Sequence, residues 1–297
     1  ILCKDCSGCT SCFGSIGLRN KSYYLFNQPY SKEEYREKLA QYNLGSADAL
    51  EALKMQAYQK WLAFPHRFMH GHQSVRVTGD YIYESKNAIH CYRVEKVEDS
   101  KYCQNILQGP VRDSYDYTNW GDNAELMCEC IMCGMGVSNV TYSIQTYPNV
   151  KNAAYCIFCR NASDVFGCIA VRNKQYCILN KQYTKEAYEA LLPKIIEHMR
   201  AMPYTDSVGR VYRYGEFFPP EFSPFPYQVT QAHEFFPMNE GMAKAQGYPW
   251  YPIKKHSYEI TLAVADVPDH IKEAQDIICD AVIECGHKGD CNHECTQ

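Results

Sequence analysis

The sequence predicts a mainly β protein with flanking helices, built from tandem β-solenoid units of the parallel β-helix kind, each followed by a capped helix. Two internal matches predict it. Residues 3–39 recur within 151–192 at a shift of 153. The shift lays Phe13-Gly14 on Phe166-Gly167, Arg19-Asn20-Lys21 on Arg172-Asn173-Lys174, Asn27 on Asn180 and Tyr35 on Tyr188. A shift of 65 lays Lys86-Asn87-Ala88, Cys91, Asp99 and Cys103 on Lys151-Asn152-Ala153, Cys156, Asp164 and Cys168. Together with the 21 residues from Cys156 to Cys177 and a weaker copy around Cys130-x2-Cys133 and Tyr142, this implies a period of 20–25 residues. Each coil would turn Cys, Val, Ile or Ala inward and place Asn at its corners, where left-handed backbone is tolerated. Coils would stack in steps of about 4.8 Å. The bland reading is an antiparallel β domain with chance similarity.

In chain order, residues 1–30 show no helical period and read as short β segments between Gly, Asn and Ser. Ser31 with Glu34 forms a capping-box signal for a helix from Lys32 to about Gln41. Ala47 to Ala63 is the strongest helix, with Leu50, Leu53, Ala57, Trp61 and Phe64 on one stripe before Pro65. Short-strand texture returns from Gly79 to Asn180, and a helix follows from Thr184 to about Met202, which Pro193 should kink or restart. Aromatics and prolines then interleave, as in EFFPPEFSPFPYQVTQAHEFFP, which reads as an arm wrapped on the second unit. Asn239 to Gln246 is a short helix, Tyr258 to Ala265 alternates like a strand, and Pro268 opens a final helix through about Glu284. The implied division is 1–73, 74–202, 203–256 and 257–297. These are the end of a first solenoid unit with two helices, a second unit with its helix, the arm, and a strand and helix leading into a zinc-ribbon-like segment.

The chain of 297 residues is 46% apolar and 22% charged, the composition of a globular protein with a sizeable core. A net charge of −4 argues against a dominant nucleic-acid surface while leaving room for a local basic patch. No apolar run is long enough to span a membrane. The first residue is Ile1 rather than Met, so the expectation is a fragment of a longer protein. Seventeen cysteines cannot all pair within the chain. Between the two matched segments Cys9 falls on Ala162, Cys12 on Val165, Ser15 on Cys168 and Tyr24 on Cys177. A ligand or disulfide partner would not exchange so freely, whereas a small buried hydrophobe would. Reduced thiols in bulk point to the cytoplasm.

One cluster has metal-ligand character. Cys285, His287, Cys291, His293 and Cys295 fall within eleven residues, soft ligands suited to a closed tetrahedral structural zinc site, with Cys279 as an alternate. Other candidates have weaker cases. The row Cys3, Cys6, Cys9, Cys12 resembles half of an iron–sulfur ligand set but lacks its longer last gap and its Pro. His66, His70 and His72 form a His-rich loop without a neighbouring acid in sequence. Asp113, Asp116, Asp122 and Glu125 make the one dense acidic cluster, with Tyr117 and Trp120 beside it to stack a sugar; a polar, turn-rich loop is the plainer reading.

The strings LCKDCSGCTSCFG, FGCIAVRNKQYCILNKQYTKEAYE and YGEFFPPEFSPF resemble an uncharacterised Cys- and Tyr-rich protein family of candidate-phyla bacteria, over nearly the whole chain. Its members carry zinc-ribbon-like segments on either side of this region, which implies that Cys285–Cys295 opens a ribbon continued elsewhere. The chain departs from the family at Ser15, where Cys is usual, and at Met238-Asn239-Glu240-Gly241, where an acidic helix start is usual. The resemblance implies an architecture and no activity. With no catalytic constellation evident, the leading expectation is a non-enzymatic scaffold. It would bind a protein or nucleic acid through solenoid faces that display Arg19, Lys21, Arg172 and Lys174, with zinc-ribbon ends. The alternative is a carbohydrate-active enzyme using the acidic cluster. A redox or metal-buffering role is disfavoured by the free exchange of Cys with Ala and Val.

Overall fold

In the computed structural model, residues 1–251 and 259–286 are described. The protein is mainly β, with helices flanking the strands. Most of its strands pair in parallel, each residue with a partner 11 to 14 positions further on, as in Gly71↔Ile82, Thr10↔Ser22, Ser138↔Lys151 and Val97↔Val111. This step is about half the period expected from the sequence. Lys86, Glu98, Arg112, Glu125, Ser138 and Lys151 are successive register partners, so the 65-residue match covers five steps rather than three.

The shorter step has a shorter unit beneath it, three residues long. Ile82, Ser85, Ala88, Cys91, Val94, Val97, Ser100, Cys103 and Ile106 are all buried. The residue before each of them (Tyr81, Glu84, Asn87, His90, Arg93, Lys96, Asp99, Tyr102 and Asn105) has positive φ. Each triplet thus presents one side chain outward, turns the backbone through a left-handed residue, and sends the next side chain in. A left-handed non-Gly residue costs roughly 1–2 kcal/mol, which the parallel ladders on either side must offset. Four triplets make a step of 12; steps of 13 or 14 carry extra residues, and the step from Gly71 to Ile82 is one residue shorter. Strands Val97–Lys101 and Ala124–Ile131 run across a corner. Val111–Arg112 and Tyr115–Thr118 pair with both, so these four strands close into a parallel ring.

Inward Ser and Cys do the same work. Ser100 Oγ donates to the Glu98 carbonyl at 2.7 Å, Ser143 Oγ to Thr141 at 2.8 Å, Cys130 Sγ to Cys128 at 3.3 Å and Cys156 Sγ to Ala154 at 3.4 Å, always two residues back. The serine oxygens also accept an N–H from the next rung, Ser114 onto Ser100 and Cys156 onto Ser143. Corner carbonyls thereby find a partner inside an otherwise apolar stack. Burial pushes the Cys130 thiol well above its usual range, which keeps it neutral.

The two matched segments make the same bonds. Asn27 Oδ1 accepts from Ile16 N at 2.7 Å and its Nδ2 donates to Ile16 O; Asn180 does both with Ile169. Ser15 Oγ and Cys168 Sγ each donate to the carbonyl two residues earlier, from Phe13 and Phe166, and each accepts the N–H of that asparagine. Each segment ends in an antiparallel return and then a helix, α1 (Lys32–Ala40) and, later in the chain, α3 (Lys185–Ala201). Ser31 caps α1 in a full capping box with Glu34, and Thr184 caps α3. Tyr35 and Tyr188 bury the matching faces. The helix between them in sequence, α2 (Ala47–Leu62), buries Leu53 and Ala57.

Two compact units divide the chain: residues 1–67 with the described C-terminal residues from 259, and Phe68–Tyr251. The core of the first is Phe13, Leu25, Phe26, Tyr35, Leu53 and Ala57. The second is centred on the inward column of the long stack, and its arm adds the short helices α4 (Gln231–Phe235) and α5 (Glu240–Ala245). Three sequence expectations need correction. Pro193 sits inside α3, which runs on without a restart. Pro268 to Glu284 is not a helix and holds only a 3₁₀ turn, Asp276–Asp280. Its backbone bonds go elsewhere, Asp269 O to Ala47 N and Ile271 N to Gly45 O, while Ile283 bridges Leu262. A helix there would forfeit those partners. The expected strand from Tyr258 to Ala265 reduces, over its described residues, to that single bridge. Among the described residues no helix is long and apolar enough to cross a membrane.

Candidate functional site

The stack interior is filled, so the chemistry available to a partner lies on its outward columns. Residues one step apart stand over each other at the rung spacing, about 4.8 Å. Asn139 donates to Asn152 at 2.9 Å and Asn152 to Asp164 at 3.0 Å. His90 stacks on Tyr102, and Tyr102 meets Tyr115 edge-on.

The acidic cluster is dispersed by this geometry. Asp113 and Asp116 belong to successive triplets and are exposed. Glu125 accepts from Ser138 Oγ at 2.9 Å, and Asp122 from Asn123 at 3.5 Å. Tyr117 cannot stack a sugar: it is fully buried and its hydroxyl donates to the Cys133 carbonyl. Trp120 donates from Nε1 to Gln108 at 2.9 Å and meets the Tyr147 ring edge-on at 4.6 Å.

The carboxylates that do meet are Asp116 and Glu129, one step of 13 apart between the register pairs Tyr115↔Cys128 and Tyr117↔Cys130. Partial desolvation raises both, although Asp116 is largely exposed, and in Glu129 the Asp116 charge and then Glu216 raise it further against a hydrogen bond from the Phe217 N–H. Continuing the column, Tyr142 stacks on Tyr155 at 4.9 Å and 26°. Burial, with Cys128 and the neighbouring tyrosines, pushes Tyr142 up to about 12. The aromatic arm docks here. Gly215 N donates to Tyr155 Oη at 2.9 Å, Tyr214 packs on both tyrosines and Phe218 on Tyr155. Glu129 and Glu216 were invisible to the sequence reading. A 13-residue spacing from Asp116 is the one signal that would have found the first.

On another part of the second unit, a polar groove of about 640 Å³ is lined by Asn149, Lys151, Asn161, Asn173, Lys174 and Gln182 among others. Arg160 and Arg172, exposed and bridged in register, belong to the same rungs. Arg160 also lies over the Tyr147 ring at 5.5 Å. Of the expected basic residues, Arg172 and Lys174 are exposed and make no ion pair among the described residues. In the first unit Arg19 and Lys21 are exposed too, with Arg19 donating to the Asp5 carbonyl at 2.6 Å.

The metal candidates are not assembled where they can be seen. Among the described residues no three of His, Cys, Asp and Glu are placed to hold a metal ion. Cys3, Cys6, Cys9 and Cys12 occupy successive triplet positions and are partly buried thiols. His70 hydrogen-bonds Asp80 through Nδ1 at 3.1 Å rather than joining His66 and His72. Although burial works to raise Asp80, the His70 and Tyr81 N–H groups and the His70 ring hold its carboxyl below the usual range. Cys279 is exposed and Cys285 half-buried, while His287, Cys291, His293 and Cys295 lie outside the described residues.

No family model, no curated protein and no solved structure matches this chain.

Proposed function

We propose that the protein is a non-enzymatic binding scaffold: two tandem, duplicated β-solenoid stacks of the kind expected for the Cys- and Tyr-rich family, holding an extended polyanionic partner on the outward face of the second. The observation that carries this reading is a basic strip that makes no ion pair among the described residues. Arg160, Arg172, Lys151 and Lys174 stand beside a ladder of asparagines, at a repeat an extended chain can follow. Neutralising several phosphates with Lys and Arg releases counterions, so such binding must weaken steeply with salt. A labelled single-stranded oligonucleotide should bind at low ionic strength in an anisotropy titration, and Arg172→Glu with Lys174→Glu should weaken it at least tenfold and flatten the salt slope. Absence of binding at low salt, or binding indifferent to the double variant, rejects the reading.

The C-terminal group is proposed to carry a structural zinc on Cys285, Cys291 and Cys295 with His287 or His293, because this mixture of soft ligands suits a closed tetrahedral site. Elemental analysis should find one zinc per chain that is lost on Cys291→Ser. A metal-free preparation grown with zinc in excess would remove the zinc from the proposal.

A further inference from the structure

A second concavity in the Phe68–Tyr251 unit is chemically unlike the basic strip. It has a volume of about 400 Å³ and is walled by Ile169 and Leu179 of the last rungs, Ile195 and Met199 of α3, and Phe218 and Phe222 of the arm. That size and lining suit a small ligand with a large apolar body. The walls are still wet, with Leu179 73%, Ile169 55% and Phe222 55% exposed, so an apolar occupant would remove surface the fold leaves in water.

The polar groups at the rim narrow the class. Tyr155 Oη is taken by Gly215 N, Tyr204 donates to Glu221, and Tyr212 donates to Asp206 at 3.3 Å. The Glu216 carboxylate accepts the Arg213 backbone N–H. Arg213 also lines the concavity and makes no ion pair among the described residues, and a guanidinium's fork of donors matches a carboxylate. We infer that this pocket is a binding site for an apolar carboxylate, a medium-chain acyl anion lying along Ile169, Leu179 and Met199 with its head on Arg213. The site is separate from the basic strip and does not depend on it.

The test is calorimetric titration of the whole chain with dodecanoate below its micellar concentration. Micromolar binding is expected. Arg213→Gln should weaken it about tenfold, and Ile169→Trp or Leu179→Trp, each filling the cavity from an exposed position, should abolish it with the thermal melt unchanged. Dodecyltrimethylammonium, with the same tail and the opposite charge, should bind at least tenfold more weakly. No heat with dodecanoate, equal affinity for the ammonium amphiphile, or unchanged affinity in the folded tryptophan variants overturns the assignment.

Discussion

Glu129 is pulled in two directions. Burial, Asp116 and Glu216 all disfavour its charge, and the Phe217 N–H favours it, with the net effect upward. The groups facing it are Asp116 on the rung before, Cys128 beside it, Tyr142 and Tyr155 on the rungs after, and Glu216 on the arm. A carboxyl raised in the folded state binds more protons folded than unfolded. Stability is therefore lost as pH climbs from the ordinary glutamate range through the raised folded value. Glu129→Gln keeps an acceptor for Phe217 and removes the charge. Its unfolding free energy, read from denaturant melts, should match the parent at pH 4 and exceed it at pH 7, by no more than about 1 kcal/mol once solvent screening is allowed for. A parallel pH profile for the two proteins would show that the acidic contact is silent. The same local view explains the cysteines. Ser15 and Cys168 make equivalent bonds at equivalent positions, so the exchange of Cys for Ser records a shared backbone-capping role, one that apolar Val and Ala fill by packing alone.

At the scale of elements, legibility followed the range of the signal. Capping boxes and 3.6-residue stripes are local, and the ends of α1, α2 and α3 fell within a residue or two of expectation. The helix does not restart at Pro193, because a proline loses one helical bond while Tyr188, Leu191, Ile195 and Met199 still bury one continuous face. The triplet lies in plain view as Cys3-x2-Cys6-x2-Cys9-x2-Cys12, where exchange with Ala and Val marks packing positions without revealing the period. A period of three is neither the 2 of a strand nor the 3.6 of a helix, since each turn needs a left-handed residue that Asp, Glu, Tyr and Arg supply here as well as Asn. The candidate sites were half legible for a similar reason. Arg172, Lys174 and Asp116 stood out by type, but their partners Arg160 and Glu129 are one rung away, and Arg213, Glu216 and Phe218 reach the stack only through the fold of the arm.

For the whole molecule, the rule that follows is that the stack is indifferent to how many rungs it has and sensitive to the loss of an inward residue within one. Each rung bonds only to its neighbours, so stability should be close to a sum of rung and interface contributions. Removing residues 163–174 deletes one step, since Ser163 pairs with Gln175, and brings Gln175 into the place Ser163 held over Lys151. Cys177 would then stand where Val165 stood and Ile178 where Phe166 stood. The deletion variant should keep the parent's β signal in circular dichroism and melt cooperatively at a lower temperature. Deleting Val165 alone leaves an eleven-residue step without an inward side chain between Ala162 and Cys168, both buried. Closing that gap forces a charged or left-handed neighbour inward or opens a cavity, at about 2–5 kcal/mol. The single deletion should therefore be more damaging than the loss of twelve residues. If the twelve-residue deletion instead unfolds the unit while the single deletion is tolerated, stability does not reside in the triplet register.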